Sequence, residues 1–152
     1  MERQPILNKY PQSPDHLLGL LHELQDASGT HSLAPEDLKA AADHLGLPYS
    51  YVYGVASFYT MFCFKPRGRH LVRICQSPPC HLMGATTLTR ELMNQLGVKI
   101  GQTTDDGLFT LEMTSCLGVC GIAPAMMVDD EVYGNLTPER IAEIIADKRR
   151  DA

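Results

Sequence analysis

Four cysteines stand in two tight pairs: Cys75 and Cys80 enclose four residues, and Cys116 and Cys120 enclose three. Thiolates at such spacing hold metal, and four of them suit either tetrahedral zinc or an iron–sulfur cluster. Structural zinc knuckles close tightly on one ion, commonly with two residues between the cysteines. A [2Fe–2S] cluster is wider and has two irons, so each pair can serve one iron and longer loops fit. Ser77, Pro78 and Pro79 stiffen the first loop, while Gly118 and Gly121 frame the second. Glycine beside a ligand lets backbone N–H groups approach sulfur and tune its potential. The residues point first to a [2Fe–2S] cluster on Cys75, Cys80, Cys116 and Cys120, then to zinc, and last to disulfides or free thiols. Thioredoxin-type dithiol exchange wants two residues between the cysteines, and neither pair has two. His81, beside Cys80, is a minor candidate for a substitute ligand. Cys63 lies in an aromatic helical segment and reads as a small buried apolar side chain.

Such pairs need strand ends to hold them, and the second half of the chain supplies strands. A short strand, His70 to Ile74, leads into Cys75. The next helix starts near Cys80 to Met83, carries Leu88, Leu92 and Leu96 at spacing four, and ends at Gly97. Its N-terminal dipole would favour an anionic cluster. Phe109 to Met113 is a second strand, after the turn Asp105-Asp106-Gly107. Ala125 to Val128 is a third, turned by Asp129-Asp130 into a short partner at Val132-Tyr133. A last helix runs from Thr137-Pro138-Glu139 to about Lys148, with Thr137 as cap and Lys148-Arg149-Arg150 at its negative end. This is an α/β layout of thioredoxin size.

The first half reads as helical. Leu17, Leu18, Leu20, Leu21 and Leu24 crowd one side of a helix between Pro14 and Gly29, and a second runs from Pro35 to Gly46. A third follows Pro48, with Tyr51, Val55, Phe58, Tyr59 and Phe62 recurring at steps of three and four as a core stripe. Seven of the ten aromatics lie between Tyr49 and Phe64, so this helix is expected to be the chief packing element of its half. Pro66-Arg67-Gly68 breaks the pattern and marks the domain boundary.

Composition narrows the function. The 152 residues carry 13 basic and 18 acidic side chains, a formal charge of −5, which disfavours a general nucleic-acid binder. Leu45 to Phe64 is uncharged and about as long as the roughly 20 residues that cross a bilayer, but Pro48, Ser50, Ser57, Thr60 and four tyrosines make it too polar for lipid. The N-terminus has no leader pattern, so the expectation is a cytoplasmic protein without membrane insertion, in a compartment that keeps cysteines reduced.

Several ordered segments resemble one family. Tyr53-Gly54-Val55-Ala56-Ser57-Phe58-Tyr59 with Phe62, Pro66 and Gly68 before the first pair, Gly101 to Leu111, and Cys116-Leu117-Gly118-Val119-Cys120-Gly121-Ile122-Ala123-Pro124 cover most of the chain. Together they are similar to the small thioredoxin-like [2Fe–2S] subunit of the NADH:quinone oxidoreductase (respiratory complex I) peripheral arm. The same subunit type occurs in NAD-linked hydrogenases, including electron-bifurcating ones, and in NAD-dependent formate dehydrogenases. The resemblance implies an α+β (α/β) chain: an N-terminal helical bundle over residues 1–66 that docks a partner, then a thioredoxin-like domain over 67–152 with a mixed four-stranded sheet. It implies one [2Fe–2S] cluster ligated by Cys75, Cys80, Cys116 and Cys120. It also implies a partner flavoprotein that binds FMN, NADH and a [4Fe–4S] cluster, with a larger multi-cluster iron–sulfur subunit as a further neighbour.

No residue is a convincing acid, base or nucleophile, so the chain reads as an electron carrier with no active site of its own. Two other readings compete. One is a zinc-held interaction module without redox work. The other is a free-standing ferredoxin, against which stands an aromatic-rich helical half that a shuttle does not need.

Overall fold

Proline stands at the start of most of the helices of this chain, and glycine closes several of them. The computed structural model describes residues 2–151, which form two compact units that divide between Pro66 and Arg67. The first unit is helical: α1 (Gln4–Leu7), a 3-10 turn at Pro14–His16, α2 (Leu17–Ala27), α3 (Pro35–Leu45) and α4 (Tyr49–Phe58). Pro35 starts α3, where the Asp37 carboxylate accepts the Ala34 N–H at 2.8 Å. Gly46 ends it in the left-handed region, φ +65°, and Pro48 caps the start of α4.

Leu20, Leu21 and Leu24 of α2 are fully enclosed with Leu33, Leu38, Ala41, Ala42, Val52 and Ala56. Buried Gln25 ties down the segment after α4. Its Nε2 donates to the Met61 carbonyl at 3.0 Å and its Oε1 accepts the Cys63 N–H at 2.8 Å.

The expected aromatic core stripe is not there. α4 stops at Phe58 and buries only Val52 and Ala56, whose small side chains let it lie close against its neighbours. Tyr51 is 54% exposed and Phe58 78%; Tyr59 is also exposed, while Phe62 is buried but beyond the helix. Cys63 likewise lies outside the helix and is half-buried rather than core, its thiol donating to the Lys65 carbonyl at 3.3 Å.

The second unit is a sheet with helices: β1 (His70–Cys75), α5 (Pro78–Leu82), α6 (Ala85–Leu96), β2 (Gln102–Thr103), β3 (Phe109–Thr114), a 3-10 turn at Cys120–Ile122, β4 (Met126–Val128), β5 (Glu131–Tyr133) and α7 (Pro138–Arg150). The strand order is β2-β3-β1-β4-β5. β1 runs parallel to β3, from His70 opposite Phe109 to Cys75 opposite Thr114, and antiparallel to β4. The sheet therefore has five strands, not four. The extra one is the two-residue β2, too short to show any alternation in sequence, paired through Gln102 with Leu111 and Thr103 with Thr110. The single helix expected after the first cysteine pair is also divided, by Gly84 at φ +93°.

Val72, Ile74, Phe109, Leu111, Met126 and Val128 of the sheet share one apolar core with Leu88, Leu92 and Leu96 of α6 and Ile141, Ile144 and Ile145 of α7. The Thr137 hydroxyl accepts the Arg140 N–H at 3.2 Å and caps α7. No helix among the described residues is long and apolar enough to cross a membrane.

Where the second unit begins, Gly68 presses on β3. A Cβ there would stand 2.8 and 2.9 Å from the Phe109 backbone carbon and nitrogen, and the Gly68 N–H already donates to the Thr110 hydroxyl at 2.6 Å. Backbone cannot swing aside as a side chain can. Gly68→Ala should cost about 1–3 kcal/mol of stability, read as a lower urea midpoint; an unchanged midpoint would show that the strand yields freely.

Candidate metal centre

The strand order brings the cysteines together. β3 and β4 lie on opposite sides of β1, so the loop joining them, residues 115–125, must pass over the end of β1. That end is Cys75. The loop carries Cys116 and Cys120, and the chain leaving Cys75 turns at once into α5, which holds Cys80. All four thiols expected from the sequence thus meet at one end of the sheet, where strand-end loops of α/β folds commonly form sites.

The two pairs differ in burial. Cys75 and Cys80 are each about 2% exposed, while Cys116 and Cys120 are open to solvent. The Cys116 and Cys120 sulfurs are 3.7 Å apart, and the ionisation of Cys75 and that of Cys80 affect each other. Among the described residues no three His, Cys, Asp or Glu side chains gather closely enough for a single ion. Two pairs side by side suit a two-iron cluster, one pair per iron, better than one zinc at the centre of four.

Backbone N–H groups surround the sulfurs. Gly118, at φ +80°, turns its N–H onto Cys116 Sγ at 3.3 Å. The second loop also holds the first: the Cys75 N–H donates to the Ala125 carbonyl at 3.1 Å, and the Leu117 and Ala125 backbones help the Cys75 and Cys80 sulfurs carry negative charge. Burial pushes the Cys75 thiol up, but donors from the Ser77 and Leu117 backbones, Cys80 and the Ser77 side chain outweigh it and hold it below its ordinary value.

Burial pushes Cys80 up, and the hydrogen bond and charge of Cys75 add to the effect. Cys120 is pushed up by its hydrogen bond to Cys116, then by the charge of that neighbour. Sulfurs that penalise one another's ionisation while backbone donors wait for anions form a donor set that fits a cationic iron core.

His81 stands apart from that set, its Nδ1 paired with the Thr86 hydroxyl at 3.0 Å. Cys63 belongs to the other unit. The bracing donors Leu117 and Ala125 had no visible signal in the sequence, because any residue supplies a backbone N–H. In metal-free protein, iodoacetamide should modify Cys116 and Cys120 about tenfold or more faster than Cys75 and Cys80. Peptide mass mapping would give the four rates, and equal rates would contradict the division into an open and a closed pair.

The family of thioredoxin-like [2Fe–2S] ferredoxins matches residues 3–149. The NADP-reducing hydrogenase subunit HndA of Solidesulfovibrio fructosivorans is 37% identical over 142 residues, covering 93% of this chain and 82% of that one. An NADH-quinone oxidoreductase subunit of Aquifex aeolicus is 39% identical over 143 residues, 94% of this chain and 88% of that one. The corresponding subunit of Escherichia coli K12 is 39% identical over 145 residues, 95% and 87% respectively. Among solved structures, a chain of an NAD+-reducing [NiFe]-hydrogenase superposes with a TM-score of 0.80 at 24% identity, over 99% of this chain and 24% of that one. At that identity the likeness speaks for the fold.

Proposed function

The chain belongs to the thioredoxin-like [2Fe–2S] ferredoxin family, and on that premise we propose that it is the one-electron carrier of an NAD(P)-linked oxidoreductase assembly. Cys75, Cys80, Cys116 and Cys120 ligate a single [2Fe–2S] cluster. It exchanges electrons with the FMN of a partner flavoprotein that also binds NADH, and the first unit docks that partner. The supporting observation is the convergence of two thiol pairs, cross-braced by backbone donors, at the end of the parallel pair β1 and β3. The relatives' membership of hydrogenase and NADH-quinone oxidoreductase complexes supports the assembly.

The bound cluster supplies one-electron storage between a two-electron hydride donor and single-electron acceptors. This chain's residues do the rest. The cysteines hold the irons as thiolates, and the Ser77, Leu117, Gly118 and Ala125 N–H groups stabilise negative charge on sulfur. Because reduction adds charge, such donors favour the reduced form and raise the potential. The buried first pair keeps water from one side of the site. The exposed second pair leaves the other side near the surface, where an electron has a short path to a partner.

The protein should purify red-brown with about two irons per chain. Cys80→Ala or Cys116→Ala should remove the visible absorption and the low-temperature EPR signal of the reduced protein. An unchanged spectrum in either variant would sink the ligand assignment, and colourless protein holding one zinc would favour the interaction module. Native purification tests the assembly: a flavoprotein should come with the chain, whereas a monodisperse holo-monomer points to a free-standing ferredoxin.

A further inference from the structure

The second cysteine loop is an eleven-residue, glycine-bearing segment whose turn Cys120–Ile122 is exposed, and its ends are fixed by β3 and β4. Leu117, Val119 and Ala123 pack against the buried cysteines, which leaves the exposed turn Cys120–Ile122 to be held by other contacts. We propose that the connection between β5 and α7, Gly134-Asn135-Leu136, is a strap that positions Cys120, and through it sets the redox potential of the cluster. This rests on the assignment of Cys120 as a ligand.

The strap meets the loop by three contacts. The Asn135 N–H donates to the Ile122 carbonyl at 2.6 Å, and the Leu136 N–H donates to the Pro124 carbonyl at 3.2 Å. Asn135 sits at φ +49°, a left-handed conformation that asparagine tolerates better than most residues. The third contact is steric. A Cβ on Gly134 would stand 2.5 and 2.6 Å from Cγ1 and Cβ of Ile122, and closer still to Cδ1. Cδ1 is the tip of the side chain and could rotate away, but Cβ is attached to the backbone. Relief therefore requires a backbone to move, that of Ile122 or that of the strap, and the Asn135 and Leu136 hydrogen bonds couple the two. Glycine is needed here for close approach.

A shift at Ile122 reaches Cys120 directly. Both lie in the 3-10 turn Cys120–Ile122, where the Ile122 N–H donates to the Val119 carbonyl at 3.0 Å and the Ala123 N–H to the Cys120 carbonyl at 3.3 Å. The strap is itself anchored. Leu136 is buried in the sheet core, and Thr137 caps α7. Ile122 is 39% exposed, so its own burial is a weak hold and the strap contacts must fix it. The positions of β5 and α7 are thus transmitted to a ligand on the far side of β4.

The test uses the full chain with its cluster, comparing wild type, Gly134→Ala, Ile122→Gly and the double variant, with Cys120→Ala alongside. Loss of the cluster in Cys120→Ala upholds the ligand assignment; a cluster retained there removes the premise and the inference with it. Given that loss, both single variants should shift the midpoint potential and the EPR g values. Amide exchange over residues 118–123 should also become faster. The double variant, which removes all three crowding atoms of Ile122, should shift less than the sum of the two single changes. Wild-type potentials in both single variants, or shifts that merely add, would overturn the role of the strap. If Gly134→Ala does not fold, Ile122→Gly decides alone: a shifted potential supports the strap and a wild-type potential refutes it.

Discussion

Everything at the metal centre depends on β1 lying between β3 and β4. A parallel pair cannot be closed by a tight turn, so β1 and β3 require a crossover, and α5 and α6 supply it. The parallel register also makes both strands end at one level, with Cys75 opposite Thr114. From there the chain must pass over β1 to reach β4, two strand spacings or about 10 Å away. Eleven residues are ample for that distance, and the slack is spent on two cysteines and the turn between them. The first pair is thus held by the end of a strand buried along nearly its whole length and by α5 directly after it, and the second by a bridge thrown across that strand.

The electrostatics follow from this crossing. Four thiols brought together raise the cost of ionising one another, which is visible at Cys80 and Cys120. The fold offsets part of that cost with backbone groups, two of which, at Leu117 and Ala125, come from the opposite loop. Such cross-bracing makes each loop part of the other's support. The formal charge of −5 takes on a sharper meaning here. It omits a bound diferric cluster with four thiolates, whose own charge is about −2. The loaded protein is therefore more acidic still, and nucleic acid is correspondingly disfavoured as a partner.

Much of this is legible in the residues, and the limits have physical causes. The cysteine pairs, the leucine spacing of α6 and the Thr137-Pro138 start of α7 are local signals, and each appears in the structure where the pattern puts it. β2 escapes because two residues show no alternation, and its existence depends on the partner strand. The aromatic helix departs from expectation for a different reason. Steps of three and four describe more than one stripe on a ten-residue helix, and size suggests that the large residues are inside. Close packing chooses the small ones, Val52 and Ala56. The bracing donors and the strap are backbone features whose partners lie far along the chain, so no spacing rule reveals them. Gly134-Asn135 reads as a turn, but nothing local connects it to Ile122.

The outward-facing aromatics bear on the docking role proposed for the first unit. Tyr51, Tyr53 and Phe58 on α4, with Met61 and Phe64 after it, leave large apolar side chains in water. The unit does not need them for its own core, which leucine, alanine and valine already close. Exposed aromatics make the free protein no more stable, and they are the side chains most enriched where proteins meet. Their cost to solubility is offset only in an assembly that covers them. The four cysteines proposed as ligands all lie in the second unit, so the helical unit adds nothing to that ligation. An isolated shuttle would gain nothing by carrying it. A subunit whose electron must pass to one particular neighbour gains the contact that keeps donor and acceptor within reach.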